Sequence, residues 1–386
     1  FRMTGSTVPA KLSDSDRQKV EELRATVKEY LTPYYDTDFN LLRWLVGHDY
    51  NIELLKPKLI NHLQLRKFED WNLDGIAATP RNHVIHNYWK SGLTGEAGKT
   101  PNTFVNVEQT GANDYWGLLA AHSTTDLLKA RVHDLESMLA AVMKMEARTG
   151  ERSSILYIMD LSGLKFDRNI TTLVSGALAS ISAFMSDHYV ELIHSFVLVN
   201  VPTFIHTIWT LARPLLPERT RNKVKILGSK WQTEILELAD ASVLPSYWNA
   251  EGSNVFTANI ERGVPVPQEL YYKGSMPADS QTLSVKAGKI GTMDLELKEG
   301  QSVHYLLHGD GQFAFAIYYS DDPVRDGEGV GKWERCYPLF AKIPGPTTVP
   351  LKDSIKIPKS GTYRLWFSNE HAWLHTLKIT HQLRIE

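Results

Sequence analysis

The sequence predicts an α/β domain with an N-terminal helical subdomain, followed by an all-β sandwich domain. Three observations carry this expectation. Apolar residues recur at helical spacing through residues 11–75. Through the middle of the chain, short apolar runs alternate with helical stretches, as buried parallel strands joined by helices do. Beyond residue 281 the apolar period switches to two, the signature of half-buried antiparallel strands. At 386 residues the chain also exceeds one ordinary core, so two domains are expected.

The helical subdomain spans 11–75. Ser13 can cap a first helix through Val20, Leu23, Val27 and Leu31, with acids in its first turn facing the positive end of the helix dipole. After Pro33, Asp36 or Thr37 opens a second helix with Phe39, Leu42, Leu45 and Val46 on one face. Asn51 starts a third, with Ile52, Leu55, Leu59 and Leu63 inward. A short fourth follows Pro80 through Val84 and Ile85.

The α/β domain spans 76–252. Thr103 to Val107 reads as a strand, and Ser123 caps a long helix carrying Leu128, Leu135, Leu139 and Val142. Ile155 to Met159 is an apolar strand ending at Asp160. A helix from Ile170 to Met185 leads to the strand Phe196 to Val199, and Val224 to Leu227 is a further short strand before helical Glu234 to Leu238. Residues 253–280, with prolines at 265, 267 and 277, read as a connector. In the sandwich, 281–386, Met293, Leu295 and Leu297 alternate with polar residues. Leu377, Ile379, Leu383 and Ile385 do the same, as do Phe313, Phe315 and Ile317 with alanines between them.

Composition excludes several classes. Net charge is −2, so no global basic field holds nucleic acid, and membrane contact has to be local and apolar. Phe196 to Leu216 is the most apolar stretch, but Pro202, His206, Arg213 and Pro214 interrupt the ~20 residues a membrane span needs. The lone cysteine, Cys336, admits neither an internal disulfide nor a cysteine zinc site. A single cysteine fits a reducing, cytoplasmic setting, and Phe1 to Lys11 lack the apolar core of a secretory signal.

Motifs for catalysis and metal binding come close but fail. Gly95-Glu-Ala-Gly-Lys99-Thr100 has Leu93 where a phosphate-binding loop requires its first glycine, and reads as an exposed turn. His371 and His375 have zincin spacing, but Ala372 stands in the general-base position. His83 and His86 lack a third ligand. No nucleophile elbow occurs, and neither catalytic residues, metal nor cofactor is expected.

One constellation remains. Tyr189-Val-Glu191, the strand Phe196 to Val201, the amphipathic Phe204 to Leu216 and Thr220-Arg-Asn-Lys223 follow in that order. Together with Phe39-Asn-Leu-Leu-Arg-Trp-Leu45, Asp160 and Leu244-Pro-Ser-Tyr247, this order resembles the phosphatidylinositol-transfer branch of the CRAL-TRIO lipid-transfer family. Gly361 to Asn369 and the last alternating strand resemble a GOLD domain, the pairing found in the supernatant protein factor type of that family.

The resemblance implies a role for each residue. Glu191 and Lys223 match inositol-headgroup contacts, with Thr220 three residues before the lysine. Phe204, Ile205, Ile208, Trp209 and Leu211 correspond to a gate helix, and Ile158, Phe184 and Val199 to the pocket lining. Leu192, Tyr247-Trp-Asn249 and Ala97-Gly-Lys-Thr-Pro101 depart from the family pattern. Phosphatidylinositol, phosphatidylcholine, a tocopherol-like molecule and an isoprenoid therefore all stay open as the bound lipid. The implied function is to carry that lipid between membranes, with transient membrane-surface contact and peripheral association. The alternative is a lipid-responsive adaptor whose GOLD domain recruits a protein partner.

Overall fold

The computed structural model describes residues 10–165, 177–213, 218–321 and 329–386. Helix α1 (Asp14–Val27) opens with a reciprocal cap: Ser13 Oγ accepts from Asp16 N at 3.1 Å, and the Asp16 carboxylate accepts from Ser13 N at 3.0 Å. Leu31 lies beyond its end and is half-buried. Of the two residues expected to open α2 (Asp38–Gly47), Thr37 is the cap, accepting from Asn40 N at 3.1 Å. Asn51 caps α3 (Ile52–Arg66), which buries Leu55, Leu59 and Leu63. The short helices α4 (Leu73–Ile76) and α5 (His83–His86) follow.

Five strands form the central sheet in the order β1 (Ser91–Glu96), β2 (Thr103–Glu108), β3 (Ser154–Asp160), β4 (Ile193–Val199), β5 (Val224–Ile226). All neighbours are parallel except β1, which runs antiparallel to β2. The sequence did not indicate β1. It is an edge strand of sequence Ser-Gly-Leu-Thr-Gly-Glu with a register break between Leu93 and Gly95, so it lacks the apolar run of a strand covered on both faces. Gly95 and Glu96 thus belong to a strand. The turn after them fits closely, since a Cβ on Gly98 would lie 1.8 Å from Asp240 Oδ2.

The connecting helices are α6 (Tyr115–Ala121), α7 (Thr124–Thr149), α8 (Ala177–His188), α9 (Thr203–Ala212), α10 (Glu218–Lys223) and α11 (Trp231–Glu234). The first part of the expected helix from Ile170, residues 170–176, lies outside the described residues. One sheet face presents Ile155, Tyr157 and Ile193 to the core shared with Val132, Leu135 and Leu139 of α7. The other presents Val107, Leu156, Ile158, Val197 and Val199 to Ile235, Leu244, Trp248 and Phe256. Buried Asp160 ties this end together, accepting from Ser162 N, Asn200 Nδ2 and Trp248 Nε1, each at 2.9 Å. No helix among the described residues is long and apolar enough to cross a membrane.

The C-terminal part is a sandwich of two antiparallel sheets. Their strands are β6 (Gln281–Val285), β7 (Ile290–Leu297), β8 (Ser302–Gly309), β9 (Phe313–Ser320), β10 (Glu334–Ile343), β11 (Leu351–Lys356), β12 (Gly361–Ser368) and β13 (Leu377–Ile385). The orders are β10-β9-β12-β7 and β11-β8-β13-β6. Three residues of the expected alternating runs depart from strict alternation. Ala314 and Ala316 of β9 are buried although they lie between the inward Phe313, Phe315 and Ile317, because small side chains, here opposite Ser368 and Trp366 of β12, are covered by their neighbours. Ile385 is 44% exposed at the end of β13.

The sandwich packs directly on the helices. Phe340 lies 5.9 Å from Trp71, Tyr337 lies 6.2 Å from Phe68, and Lys129 Nζ reaches Asp353 Oδ1 at 2.6 Å. The two hydrophobic cores are continuous across this contact. Residues 253–280 run along the α/β part: Gly263 N donates to Gln109 Oε1 at 2.9 Å, Val266 N to Asp114 Oδ2 at 3.1 Å, and Tyr272 N to Ala120 O at 2.8 Å.

Candidate functional site

The chain leaves α8 and enters β4 through Tyr189-Val190-Glu191, and Glu191 adopts φ 55, in the left-handed region. For a residue with a long side chain this conformation costs about 1–2 kcal/mol, and it is held by the packing around it. The last residue of α2 lies against the same turn. A Cβ on Gly47 would come within 2.1 Å of Val190 Cγ1, so only glycine permits this approach.

Lys223 ends α10 immediately before β5. Its Nζ donates to Glu191 Oε2 at 2.9 Å, with the carboxylate 7% and the lysine 19% exposed. The pair lies on a cavity of about 230 Å³. Leu135, Met185, Ile193 and Phe196 supply an apolar wall, while Gly47, His48, Ser186, Tyr189 and Val190 complete the lining. A cavity with one charged wall and one apolar wall suits an amphiphile.

The surroundings are cationic. Burial, with help from Lys225, Arg152 and Lys223, pushes His194 down to about 4, so its imidazole is neutral at pH 7. Burial also lowers Lys225. Arg152 is brought down to about 10, first by burial and then by Arg43, while Glu191, Glu146 and Tyr50 oppose the shift. Arg43 is paired with Glu146. Lys223, Arg152 and Arg43 therefore share the carboxylates Glu191 and Glu146, and Lys225 lies near His194. The excess of positive charge favours an anion, and Glu191 offers an acceptor for hydroxyl donors.

Of the residues expected at the site, the structure brings Glu191 and Lys223 together. The side chains of Thr220 and Leu211 lie outside the described residues. On α9, Phe204, Ile205 and Trp209 are half-buried and Ile208 is 41% exposed, whereas Thr203, His206, Thr207 and Thr210 face solvent. Ile158 and Val199 pack on the sheet face covered by Trp248 and Phe256, opposite to Tyr157. Phe184 lies where α8 meets the sandwich, its ring 4.5 Å from His188 and its side chain beside Phe340. None of these three lines the Glu191 cavity.

Arg152, His194, Lys225 and the apolar wall were not identified from sequence. Lys225 carried a readable signal, a lysine inside the apolar run Val224 to Leu227. Arg152 carried none, because it arrives from the α7–β3 turn. Two of the four histidines in the metal-like spacings have structural partners. His375 pairs with Asp310 at 3.0 Å, and His86 with Asp134 at 3.3 Å. Among the described residues no group of three or more His, Cys, Asp or Glu side chains could hold a metal ion.

Residues 103–249 match the CRAL/TRIO domain model, residues 273–386 the F28H7_8_C:-like, C-terminal domain model, and residues 12–76 a Domain of unknown function (DUF8435). The chain is 28% identical over 328 residues to the CRAL-TRIO domain-containing protein F28H7.8 of Caenorhabditis elegans, covering 81% of this chain and 77% of that protein. It is 24% identical over 252 residues to the Phosphatidylinositol/phosphatidylcholine transfer protein SFH4 of Arabidopsis thaliana, covering 61% of this chain but only 40% of that protein. Among solved structures, that of Sfh5 superposes with a TM-score of 0.47 at 18% identity, covering 66% of this chain and 93% of that one.

Proposed function

We propose that this chain, which carries a CRAL/TRIO domain and is related to phosphatidylinositol/phosphatidylcholine transfer proteins, binds one lipid and carries it between membranes. The observation that supports this reading best is the Glu191–Lys223 pair on a cavity with an apolar opposite wall. A phosphodiester takes Lys223 and the positive charge of Arg152, and inositol hydroxyls donate to Glu191. Acyl chains lie against Met185, Ile193 and Phe196, rather than against Ile158, Phe184 and Val199, whose side chains are taken up in core packing.

Burying an acyl chain gains ~0.8 kcal/mol per methylene relative to water, yet a bilayer offers nearly the same gain. The two large terms cancel when the protein meets a membrane. Headgroup contacts and opening of the pocket then decide occupancy, which makes exchange reversible. Helix α9 is the gate in this reading, because its apolar face is only half-buried and partitions readily into a membrane interface. The protein is a carrier rather than an enzyme, acting peripherally at cytoplasmic membrane faces, and its sandwich is of GOLD type.

A lipid-responsive adaptor is the second reading, and one observation favours it. Helix α8 contributes Met185 and Ser186 to the cavity, and Phe184 and His188 to the contact with the sandwich. Occupancy of the cavity is thereby coupled to the surface of a second domain.

The test is to purify the protein, extract what it carries and identify it by mass spectrometry beside Lys223→Ala. A stoichiometric phosphoinositide lost in the variant supports the carrier and the headgroup site. A neutral isoprenoid retained by the variant keeps the pocket and refutes that site. Absence of lipid from both refutes the carrier and leaves the adaptor.

A further inference from the structure

Trp373 and Leu374 are adjacent and each 94% exposed, whereas every other exposed large apolar side chain among the described residues falls between 36% and 58%. They form the tip of the loop between β12 and β13. Scattered half-exposed apolar residues are ordinary, but a fully solvated tryptophan beside a fully solvated leucine is costly.

The loop that presents them is firmly built. Asn369, 1% exposed, donates through Nδ2 to Val285 O at 3.0 Å and to His375 O at 2.8 Å. Its backbone bonds the neighbouring β6–β7 turn at Gly288 N and Lys289 O, at 3.0 and 2.9 Å. Ala372 N donates to Asn369 O at 3.1 Å. On the far side, His375 pairs with Asp310, which also accepts from Lys378 N at 2.8 Å. The base of the loop is thus tied to two adjoining turns, and its apolar tip projects from that base.

Charge around the tip is basic. Lys286, Lys289 and Lys378 are exposed on the same end of the sandwich. Asp310 is held by His375 and Lys378 N, while Glu370 accepts from Ser368 Oγ at 2.9 Å and keeps its charge, so the three lysines outnumber these two acids by one. Ile290, 46% exposed, adds apolar area beside Lys289.

We infer that the Trp373–Leu374 tip is a wedge that inserts into the interfacial layer of an anionic bilayer, with Lys286, Lys289 and Lys378 on the lipid headgroups. A convex tip carrying one indole and one aliphatic side chain matches the interface, where tryptophan's apolar body and polar N–H are both accommodated. A ring of lysines adds attraction to acidic lipids. The site lies on the sandwich and does not depend on which lipid, if any, fills the cavity beside Glu191.

The test is flotation of the full chain with vesicles of phosphatidylcholine containing phosphatidylserine, comparing the parent with Trp373→Ser/Leu374→Ser. Both side chains are solvated, so the unfolding temperature and any co-purified lipid stay as in the parent. Vesicle binding is expected to fall about tenfold or more. Lys286→Glu/Lys289→Glu lowers binding and removes its preference for acidic vesicles. Equal flotation of parent and serine variant would overturn the proposal. So would a parent that does not float at all, in which case the tip belongs to a protein contact.

Discussion

Lys223 Nζ lies 2.9 Å from Glu191 Oε2, across a separation of 32 residues, and joins the end of α10 to the turn that enters β4. Both side chains are held in place from behind. Lys223 is fixed by the start of β5, and Glu191 by a left-handed backbone wedged between α8 and Gly47. A charged pair built on such constrained positions is preorganised, so in the proposed headgroup role the protein would have little of its own ordering to do on binding.

Gly47→Ala is expected to damage the site through its backbone. The new methyl would lie 2.1 Å from Val190 Cγ1, so the turn carrying Glu191 has to shift. Overpacking of this kind costs about 1–3 kcal/mol, and lipid retention is expected to fall with it. Adding Val190→Ala removes the clashing methyl and should restore both. Calorimetry together with lipid extraction checks this. Unchanged retention in Gly47→Ala would mean that the turn is not part of the binding site.

Stability is expected to fall with acid through two buried histidines. His62 and His188 face each other, Nδ1 to Nδ1, at 3.2 Å, so one donates and the other accepts, and both are neutral. Burial, with the charge of Arg335 behind it, pushes His188 down to about 3; burial also drives His62 well below its ordinary value. The unfolded chain takes these protons near pH 6.5, the native state far lower. The stability is therefore complete above about pH 6.5 and declines as pH falls towards 3, by about 2 kcal/mol for His188 between pH 7 and 5. Denaturant titrations at the two pH values measure it, and His188→Gln should flatten the slope. An equal slope in that variant would locate the effect elsewhere.

The gate reading makes a kinetic prediction. Ile208→Ser and Trp209→Ser lie on a helix face that is only partly covered, so stability should change by less than about 1 kcal/mol. Transfer of a fluorescent phospholipid from donor to acceptor vesicles should nevertheless slow several-fold. If transfer rates match the parent in both variants, α9 is not the gate.

Thermal unfolding is expected to show one transition rather than two. Trp71 and Phe340 meet across the boundary between helices and sandwich, in a core that runs unbroken through both. Trp71→Ala should cost about 3–5 kcal/mol and lower that single transition as a whole. Two separate calorimetric peaks in the parent would show that the parts fold independently. The same contact means that removing the sandwich uncovers Trp71 and Phe68, so transfer assays belong on the full chain.

Local signals in the sequence located most elements because each has a local cause. Ser13, Thr37, Asn51 and Ser123 cap the helices they were expected to open, since a cap needs only its own side chain and the next turn of backbone. The apolar runs Ile155 to Met159 and Phe196 to Val199 are strands because burial on both faces removes the need for polar residues. Strand β1 and helix α6 were not legible. One is a glycine-rich edge held by its partner, and the other a single short helix that Asp114 caps.

By itself, then, the sequence determined most of the helices and the two kinds of sheet, which follow from periodicity and capping, whereas the pairing of Glu191 with Lys223 was implied only by the family resemblance. Only the tertiary structure decided which apolar residues face that pair. Ile158 and Phe196 both lie in strands, and a strand's alternation says that successive residues point apart without saying which face holds a cavity. That choice depends on which helices cover each face. Here residues 235–256 close over Ile158 and Val199, whereas the α8 turn leaves space beside Phe196. The packing of the sandwich on Trp71 and the projection of Trp373 were likewise set by contacts between segments distant in the chain, where local sequence carries no signal.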